Sequence, residues 1–479
     1  MKVAAQPKAA PKKNAIGLGI IAAFAVLIFT VPPALGKNIH PMILVSAFIL
    51  VSVYVVLSFE FLHRSSIALI GAIAIIIAAL AFGILQAQES FEFIVSAIDY
   101  NTIGLLLGMM IIVAVLAESG VFQWVGIKAS KASKGNLWKL MLILCTFTAV
   151  TSMFIDNVTT VLVMIPVTVA VFRVFKVSPL PFILAQALAS NVGGTATLIG
   201  DPPNIMIGSA ANIDFNAFII HMGPTIAVSF VASLFLLRVM FRKDLKAQVQ
   251  NFDQLMKEDE SLYLKDKGIL KKSLGVLFGV VALFVVHGAL QIEPSIIALG
   301  GAAVLLAITR ANPERVFREV DWPTLIFFAG LFIIVGTAEH AGLIELLSSA
   351  ALGATGGNPW LAFLMIIWMS AIASAFVDNI PFTATMIPLI HALNGSPEIA
   401  GTFSDFQFSP LWWALSLGAN LGGNGTLIGS SAGIVSAGIS EKHGHPISFN
   451  RWIRVGFPFM IMTVVIGTVV LAIDVMLRV

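Results

Sequence analysis

The sequence predicts an all-α polytopic membrane protein of eleven transmembrane helices and two re-entrant hairpins, arranged as two inverted-topology repeats. Its composition and a set of repeated polar motifs carry this prediction. The 479 residues are 58% hydrophobic and only 11% charged, whereas a soluble domain carries about 25% charged residues. Apolar runs of about 20 residues, which span roughly 30 Å of hydrocarbon, recur along the whole chain. A soluble enzyme is therefore not expected.

The apolar runs divide into full spans and two split segments. The eleven spans lie at about 15–35, 42–60, 66–85, 101–119, 181–210, 218–241, 273–290, 294–309, 324–342, 411–440 and 455–477. The split segments, about 137–175 and 360–393, are each interrupted by Asp-Asn near the middle. Each is either a pair of short spans or a re-entrant hairpin, and both options return the chain to its starting side. The first run is interpreted as a retained helix because it is long enough to span and no clear signal-peptide cleavage site follows it.

Basic residues predict the orientation. With a cytoplasmic N-terminus, all but three of the 28 Lys and Arg residues (Lys37, Arg238 and Arg478) fall in cytoplasmic loops or in the N-terminal segment. This asymmetry is typical of an inner-membrane protein, and a wrong span count would destroy it. We therefore expect a multi-pass protein of the cell inner membrane with its N-terminus in the cytoplasm and its C-terminus outside.

The chain repeats itself internally. The segment from Asp99 to Gly120 matches that from Asp321 to Gly342, at an offset of 222 residues (321 − 99), and the two Asp-Asn pairs share this offset. A later motif, Asn-x-Gly-Gly followed by Thr-Leu-Ile-Gly, recurs at an offset of 229 (420 − 191). Each unit has five spans and a hairpin, so the second inserts upside down. Such inverted repeats with interrupted helices are typical of secondary transporters.

The repeats predict four segments. A basic N-terminus with the first helix covers 1–40, the first repeat 41–241, a charged cytoplasmic linker 242–272, and the second repeat 273–479. The linker is expected to contain some helix, and a regulatory or partner-binding role is the alternative.

Four polar clusters interrupt the apolar runs and supply the candidate binding residues. They are Asp156, Asn157, Thr159 and Thr160; Asn191, Gly193, Gly194, Thr195, Thr197, Asp201 and Asn204; Asp378, Asn379, Thr383 and Thr385; and Asn420, Gly422, Gly423, Asn424, Thr426 and Ser430. Gly-Gly and Pro-Pro disfavour continuous helix. A helix broken within the bilayer exposes N–H and C=O groups that must be met by protein or by a water-lined cavity. Its carbonyl, Asn and Thr oxygens suit a hard cation, and its N–H groups suit an anion or a polar neutral solute.

Three aspartates lie among these residues. A charged Asp at the centre of a membrane helix costs about 2.5–3.5 kcal/mol on insertion scales, so its presence indicates a use. Either it binds a cation, with sodium sites predicted at Asp156-Asn157 and Asp378-Asn379, or it exchanges a proton. The structural alternatives are an N-cap before Pro-Pro for Asp201 and capping of the hairpin helices for the other two. An intramembrane aspartyl protease would need two carboxylates sharing a water, and its Gly-x-Gly-Asp motif is absent.

The four motifs resemble those of the arsenite permease and melanosomal P-protein branch of the ion transporter superfamily, over both halves from about residue 40 to the end. The resemblance implies a scaffold domain, a transport domain that moves as an elevator, hairpin tips that meet broken fifth and tenth spans, and a homodimer. In the superfamily's dicarboxylate carriers a Ser-Asn-Thr pattern forms the sodium sites. Here Asp replaces its first member, at Asp156 and Asp378, which favours proton or cation exchange.

We therefore expect a secondary active transporter, and not an enzyme, that exports arsenite or antimonite in exchange for protons. A sodium/proton antiporter and a cation-coupled anion carrier remain open. No cofactor is expected beyond the coupling proton or sodium ion, and no nucleic acid is an expected partner. Walker A, His-Glu-x-x-His and Gly-x-Ser-x-Gly motifs are absent, so ATP-driven transport would require a separate cytoplasmic ATPase partner.

Overall fold

The computed structural model describes residues 11–34, 39–59 and 61–478, and all regular structure within these ranges is helical. Lys2, Lys8 and Lys37 lie outside the described residues. The helices of the first half are α1 Pro11–Ala34, α2 Pro41–Ser58, α3 Arg64–Ala81, α4 Ser90–Ala97, α5 Tyr100–Glu118, α6 Val121–Ser133, α7 Leu137–Ser152, α8 Asn157–Phe175, α9 Leu180–Gly194, α10 Pro202–Ala211 and α11 Phe215–Met240.

The second half repeats this order after the linker. Its helices are α12 Phe252–Lys257, α13 Lys267–Leu290, α14 Pro294–Thr309, α15 Pro313–Glu319, α16 Trp322–His340, α17 Leu343–Thr355, α18 Pro359–Phe376, α19 Asn379–Asn394, α20 Pro397–Thr402, α21 Pro410–Gly422, α22 Ser431–Lys442 and α23 Phe449–Met476. Helices α5 and α16 both have 19 residues, and α6 and α17 both have 13. Each member of the second pair follows a left-handed glycine, at Gly120 and Gly342.

Nine of the described helices are long and apolar enough to cross a membrane: α2, α3, α5, α8, α11, α13, α16, α18 and α23. Five shorter apolar segments accompany them, within α1, α7, α9, α14 and α17. Two predicted full spans are each divided in two. The span predicted at about 181–210 is α9 followed by α10, and the span predicted at about 411–440 is α21 followed by α22. Both divisions occur at the Gly-Gly motifs, where the helix loses its backbone hydrogen-bond ladder.

The chain forms two compact units that do not coincide with the two sequence repeats. Unit 1 contains Met1–Asp99, Trp322–Gly357 and Ala384–Ser396, and unit 2 contains Tyr100–Asp321, Asn358–Thr383 and Pro397–Val479. In unit 1, α3 packs mainly against α16, and α2 packs on both. The Arg64 guanidinium at the start of α3 donates to Thr324 Oγ1 at 2.8 Å.

Unit 2 contains the broken helices. Within it α5 packs against α14, α7 against α9, α18 against α21, and α11 against α23. The members of the pairs α7–α9 and α18–α21 correspond to each other in the two repeats. Helices α9 and α21 are buried along their whole length. They carry the Gly-Gly motifs, so the polar breaks lie in the core of the unit.

The linker follows α11 in unit 2 and includes a 3-10 turn at Asp244–Lys246, α12, a second 3-10 turn at Glu260–Tyr263 and the start of α13. Lys131 on α6 donates from its Nζ to Glu260 Oε2 and to the Glu258 carbonyl, each at 2.5 Å. The ion pair holds the pKa of the exposed Glu260 carboxyl below its usual range. The Leu255 side chain is fully buried, so the linker is packed against the helices and is not a free tether.

Candidate functional site

The two helix breaks are closed by different side chains. In the first repeat, Asn204 Nδ2 on α10 donates to the carbonyl oxygens of Gly194, Thr195 and Thr197 at 3.3, 3.2 and 2.8 Å. These carbonyls are left without helical partners by the break. The second repeat has Gly433 at the matching position (204 + 229), and there the Trp452 indole N–H donates to the Asn424 carbonyl at 3.1 Å.

The Gly-Gly motifs let each broken helix touch its hairpin. A Cβ added at Gly193 would lie 2.2 Å from the Ala149 carbonyl oxygen on α7, and one at Gly422 would lie 2.5 Å from the Ala371 carbonyl oxygen on α18. Both gaps are shorter than any real Cβ contact, and both obstacles are backbone atoms. The two contacts are repeat-related (371 − 149 = 222), so the same sequence motif produces the same close approach twice.

Asp156 and Asp378 act as caps at the two hairpin tips. Asp156 precedes α8, where its Oδ1 accepts from the Thr159 N–H at 2.9 Å and its Oδ2 from the Thr159 hydroxyl at 2.5 Å. Asp378 precedes α19, where its Oδ1 accepts from the Ile380 N–H at 3.1 Å and its Oδ2 from the Ser431 hydroxyl at 2.8 Å. These bonds are those of the capping alternative.

Asp201 has a different environment, and the capping alternative for it is wrong. It occupies the N-cap position of α10, yet its side chain makes no capping hydrogen bond. Instead, Asn157 Nδ2 donates to its Oδ2 at 2.7 Å and Asn379 Nδ2 donates to its Oδ1 at 3.2 Å. The side chain is fully buried, and no Lys, Arg or His in the described part of the chain forms an ion pair with it. The Asn of each hairpin tip therefore holds one oxygen of the same carboxylate.

Further amides extend this centre across both repeats. Asn157 Nδ2 also donates to Asn191 Oδ1 at 2.9 Å, and Asn191 Nδ2 donates to Asn424 Oδ1 and Ser430 Oγ, each at 2.9 Å. Asn420 Nδ2 donates to Asn204 Oδ1 at 2.7 Å. Side chains from α8, α9, α10, α21 and the second break thus form one buried polar region.

Three polar atoms of this region are buried without a hydrogen-bond partner: the acceptors Asn157 Oδ1 and Asn420 Oδ1, and the donor Asn424 Nδ2. An unpaired buried polar atom costs about 1–3 kcal/mol, and the great majority of such atoms in folded proteins are paired. Their occurrence together among the sequence-predicted residues marks this region as the candidate binding site.

The predicted threonines take structural roles. Their hydroxyls donate to backbone carbonyls, in the pairs Thr160–Ile155, Thr195–Asn191, Thr197–Met153, Thr383–Asn379 and Thr426–Ala375. Thr385 belongs to unit 1, where its hydroxyl bonds to that of Tyr54. Each Asp-Asn pair likewise divides its functions, because Asp156 caps a helix while Asn157 reaches Asp201.

Sequence reasoning missed two residues of the region. Ser416 donates to Asn204 Oδ1 at 2.6 Å, and its position one helical turn before Asn420 is a signal that could have found it. Trp452 begins the last long helix, and nothing in the motifs points to it.

The fold and the site together define a class of protein. The chain is an all-helical membrane protein in which two interrupted helices bring polar backbone and buried amides to one carboxylate, the arrangement of a secondary transporter. The sequence profile of the citrate transporter family (CitMHS) matches residues 54–418. The chain belongs to this family.

Relatives support the assignment over most of the chain. A transporter of Mycobacterium tuberculosis is 38% identical over 415 residues, covering 87% of this chain and 94% of its own. The P protein of Mus musculus is 33% identical over 510 aligned positions, covering 90% of this chain and 60% of its own length. The resemblance to the P-protein branch is thereby confirmed.

Solved structures share the fold. The YdaH transporter of Alcanivorax borkumensis superposes with a TM-score of 0.56 at 15% identity, over 82% of this chain and 90% of its own. MtrF of Neisseria gonorrhoeae, an antimetabolite efflux pump, superposes with a TM-score of 0.55 at 12% identity, over 95% of this chain and 97% of its own. At these identities the likeness concerns the fold alone.

Proposed function

We propose that this protein exports uncharged arsenite or antimonite in exchange for protons, with Asp201 as the coupling carboxylate. The observation that carries the proposal is the mixed character of the three unpartnered atoms, two acceptors and one donor. A bare cation needs only acceptors and a bare anion only donors, whereas each hydroxyl of a neutral triol both donates and accepts. Arsenite is such a triol at neutral pH.

The charges of the region support a neutral solute. No Lys, Arg or His is among the predicted site residues. A citrate-like polyanion, which the family name suggests, would face the Asp201 carboxylate without a compensating cationic side chain. Recognition through hydroxyl groups also requires no thiol, which agrees with a chain whose single cysteine, Cys145, is buried.

Coupling follows from the two amides on Asp201. As a carboxylate it accepts from Asn157 and Asn379 at once. Once one oxygen is protonated it becomes a donor and no longer suits a facing N–H group, so one of the two hairpin tips loses its bond. Protonation of Asp201 would thus change the hold of a tip on the broken helix. In the elevator scheme implied by the resemblance, this release accompanies movement of the transport domain.

Sodium/proton exchange is the second candidate. Asn157 Oδ1, Asn420 Oδ1 and the Asp201 carboxylate are oxygen ligands of the type a hard cation prefers. In that case Na⁺ and H⁺ would compete for Asp201, and Asn424 Nδ2 would have no function in binding.

The decisive experiment is arsenite uptake into everted membrane vesicles under an imposed pH gradient, with and without sodium. The proposal expects accumulation that follows the pH gradient and does not need sodium. Dissipation of the pH gradient by sodium, without arsenite uptake, would replace it with sodium/proton exchange. Uptake of citrate in the same vesicles, with no response to arsenite or sodium, would establish an anion carrier and refute both candidates.

A further inference from the structure

Unit 2 contains a cavity that the proposed site does not use. It has a volume of about 170 Å³ and lies among α5, α10, α13 and α14, which is room for several water molecules. Its polar lining includes Asn101, Ser209, Asn212, Gln291 and Glu293. These residues lie at helix ends and turns that the sequence-based orientation places on the outer side of the membrane.

The charge of this cavity has one sign. Glu293 is the only acidic residue of the lining, which contains neither Lys nor Arg. Its side chain is exposed, makes no capping bond to α14 and forms no ion pair with any residue that the structure describes. The lining histidine, His287, is engaged on both ring nitrogens, with the Phe215 N–H at 3.2 Å and the Ile292 carbonyl at 3.3 Å. A lone carboxylate beside amides and a hydroxyl attracts cations.

The inner wall of the cavity belongs to the first helix break. Leu198 and Ile205, which precede and follow Asp201 in the chain, both line it. Leu198 folds back along α10, where its Cδ1 would lie 2.1 Å from a Cβ added at Gly208. The cavity therefore reaches the back of the segment that carries the buried carboxylate, on a different face from Asn204 and its partners.

We propose that this cavity is an entry vestibule for cations, in which Glu293 concentrates the coupling cation next to the Asp201 break. The coupling part rests on the proposed function, whereas the cation preference is a property of the cavity itself. Two measurements separate these parts, so a failure of one is distinguishable from a failure of the other.

The first measurement is the rate of thiol modification in Ser209→Cys. Cys145 is fully buried, so the introduced thiol is the reactive one. Two impermeant methanethiosulfonates of similar size are compared, one bearing trimethylammonium and one bearing sulfonate. The cationic reagent is expected to react faster, and adding Glu293→Gln is expected to lower the rate ratio by about ten-fold at low ionic strength.

Glu89→Gln is the matched control. Glu89 is also exposed, also occupies an N-cap position without a capping bond, at α4, and is also predicted to lie on the outer side, but it does not line the cavity. Its replacement should leave the rate ratio unchanged. No modification of Ser209→Cys from the outer side, or a ratio that ignores Glu293→Gln, would refute the vestibule whatever the protein transports.

The second measurement is the outer cation concentration that half-saturates coupled transport. Glu293→Gln is expected to raise it about three-fold at low ionic strength, with the difference disappearing in high salt. Glu89→Gln should not raise it. A charge-selective cavity combined with an unchanged half-saturation would refute the entry role. Loss of all coupled transport in the unmodified protein would refute the proposed function, while the thiol measurement would still decide the cation preference.

Discussion

Replacing Asp201 by Asn tests the central assignment of the site. The carboxylate accepts from Asn157 and Asn379, and an Asn at this position could accept from only one of them, because its own NH2 would face the other. Losing one charge-assisted hydrogen bond costs about 1.5–3 kcal/mol. Removing a buried charge recovers several kcal/mol. The two terms oppose each other, so we expect the variant to fold with a free energy of unfolding within about 2 kcal/mol of the original.

Transport should respond differently from stability. Asn cannot exchange a proton, so arsenite accumulation driven by a pH gradient is expected to fall to the level of vesicles without a gradient. The assay is uptake into everted vesicles, with thermal unfolding in detergent measured on the same preparation. Asp201→Ser, which copies Ser430 of the second repeat, should fail in the same way.

Asp214→Asn provides the control. Asp214 caps α11 by accepting from the Ala217 N–H at 2.7 Å, and Asn caps a helix equally well. This variant should keep both stability and coupled transport. Gradient-driven accumulation at the original level in Asp201→Asn would refute the reasoning, since the only carboxylate held by both hairpin tips would then have no part in coupling.

Three further predictions follow from the packing of unit 2. Trp452→Phe removes the indole donor to the Asn424 carbonyl, a bond worth about 1 kcal/mol. It should raise the KM for the solute about five-fold with little change in maximal rate, whereas Trp360→Phe, which removes no hydrogen bond, should leave KM unchanged. Gly193→Ala places a Cβ against the Ala149 carbonyl and should lower the free energy of unfolding by about 1–3 kcal/mol or more in thermal assays. Gly438→Ala, with nothing within 4 Å of the new Cβ, should not destabilise; equal melting temperatures for the two would contradict the close approach. Leu255→Ala removes a fully buried side chain of the linker at a cost of about 2–5 kcal/mol, so limited proteolysis should cut residues 242–266 faster. Met256→Ala, at a side chain 47% exposed, should leave the cutting rate unchanged, and equal rates would mean that the linker is not docked.

Much of the fold could be predicted because membrane helices have strong local signals. Long apolar runs, split by Gly-Gly and Asp-Asn, locate the spans and their breaks, since apolar length and backbone satisfaction govern insertion. The division of the two predicted spans after Gly194 and Gly422 is confirmed. The two compact units were beyond reach, because the sequence does not say which helix of one repeat packs against which helix of the other.

The site could be predicted as a set of residues but not as a set of functions. The motifs identified the Asn residues that now form one buried region. They gave Asp156, Asp378 and Asp201 similar standing, yet two of these cap helices and one accepts from both hairpin tips. A residue's neighbours within its own motif are visible in sequence, but the partners of Asp201 lie 44 and 178 positions away.

The sequence by itself determined the class of fold, the duplication and the location of the polar breaks, because each depends on composition and local spacing. The tertiary structure alone decided which carboxylate lies at the centre, that Trp452 closes the second break where Asn204 closes the first, and which three amide atoms remain unpartnered. These features depend on long-range contacts between helices of the two repeats. Hydrogen-bond geometry, and not local propensity, selects among residues of the same type.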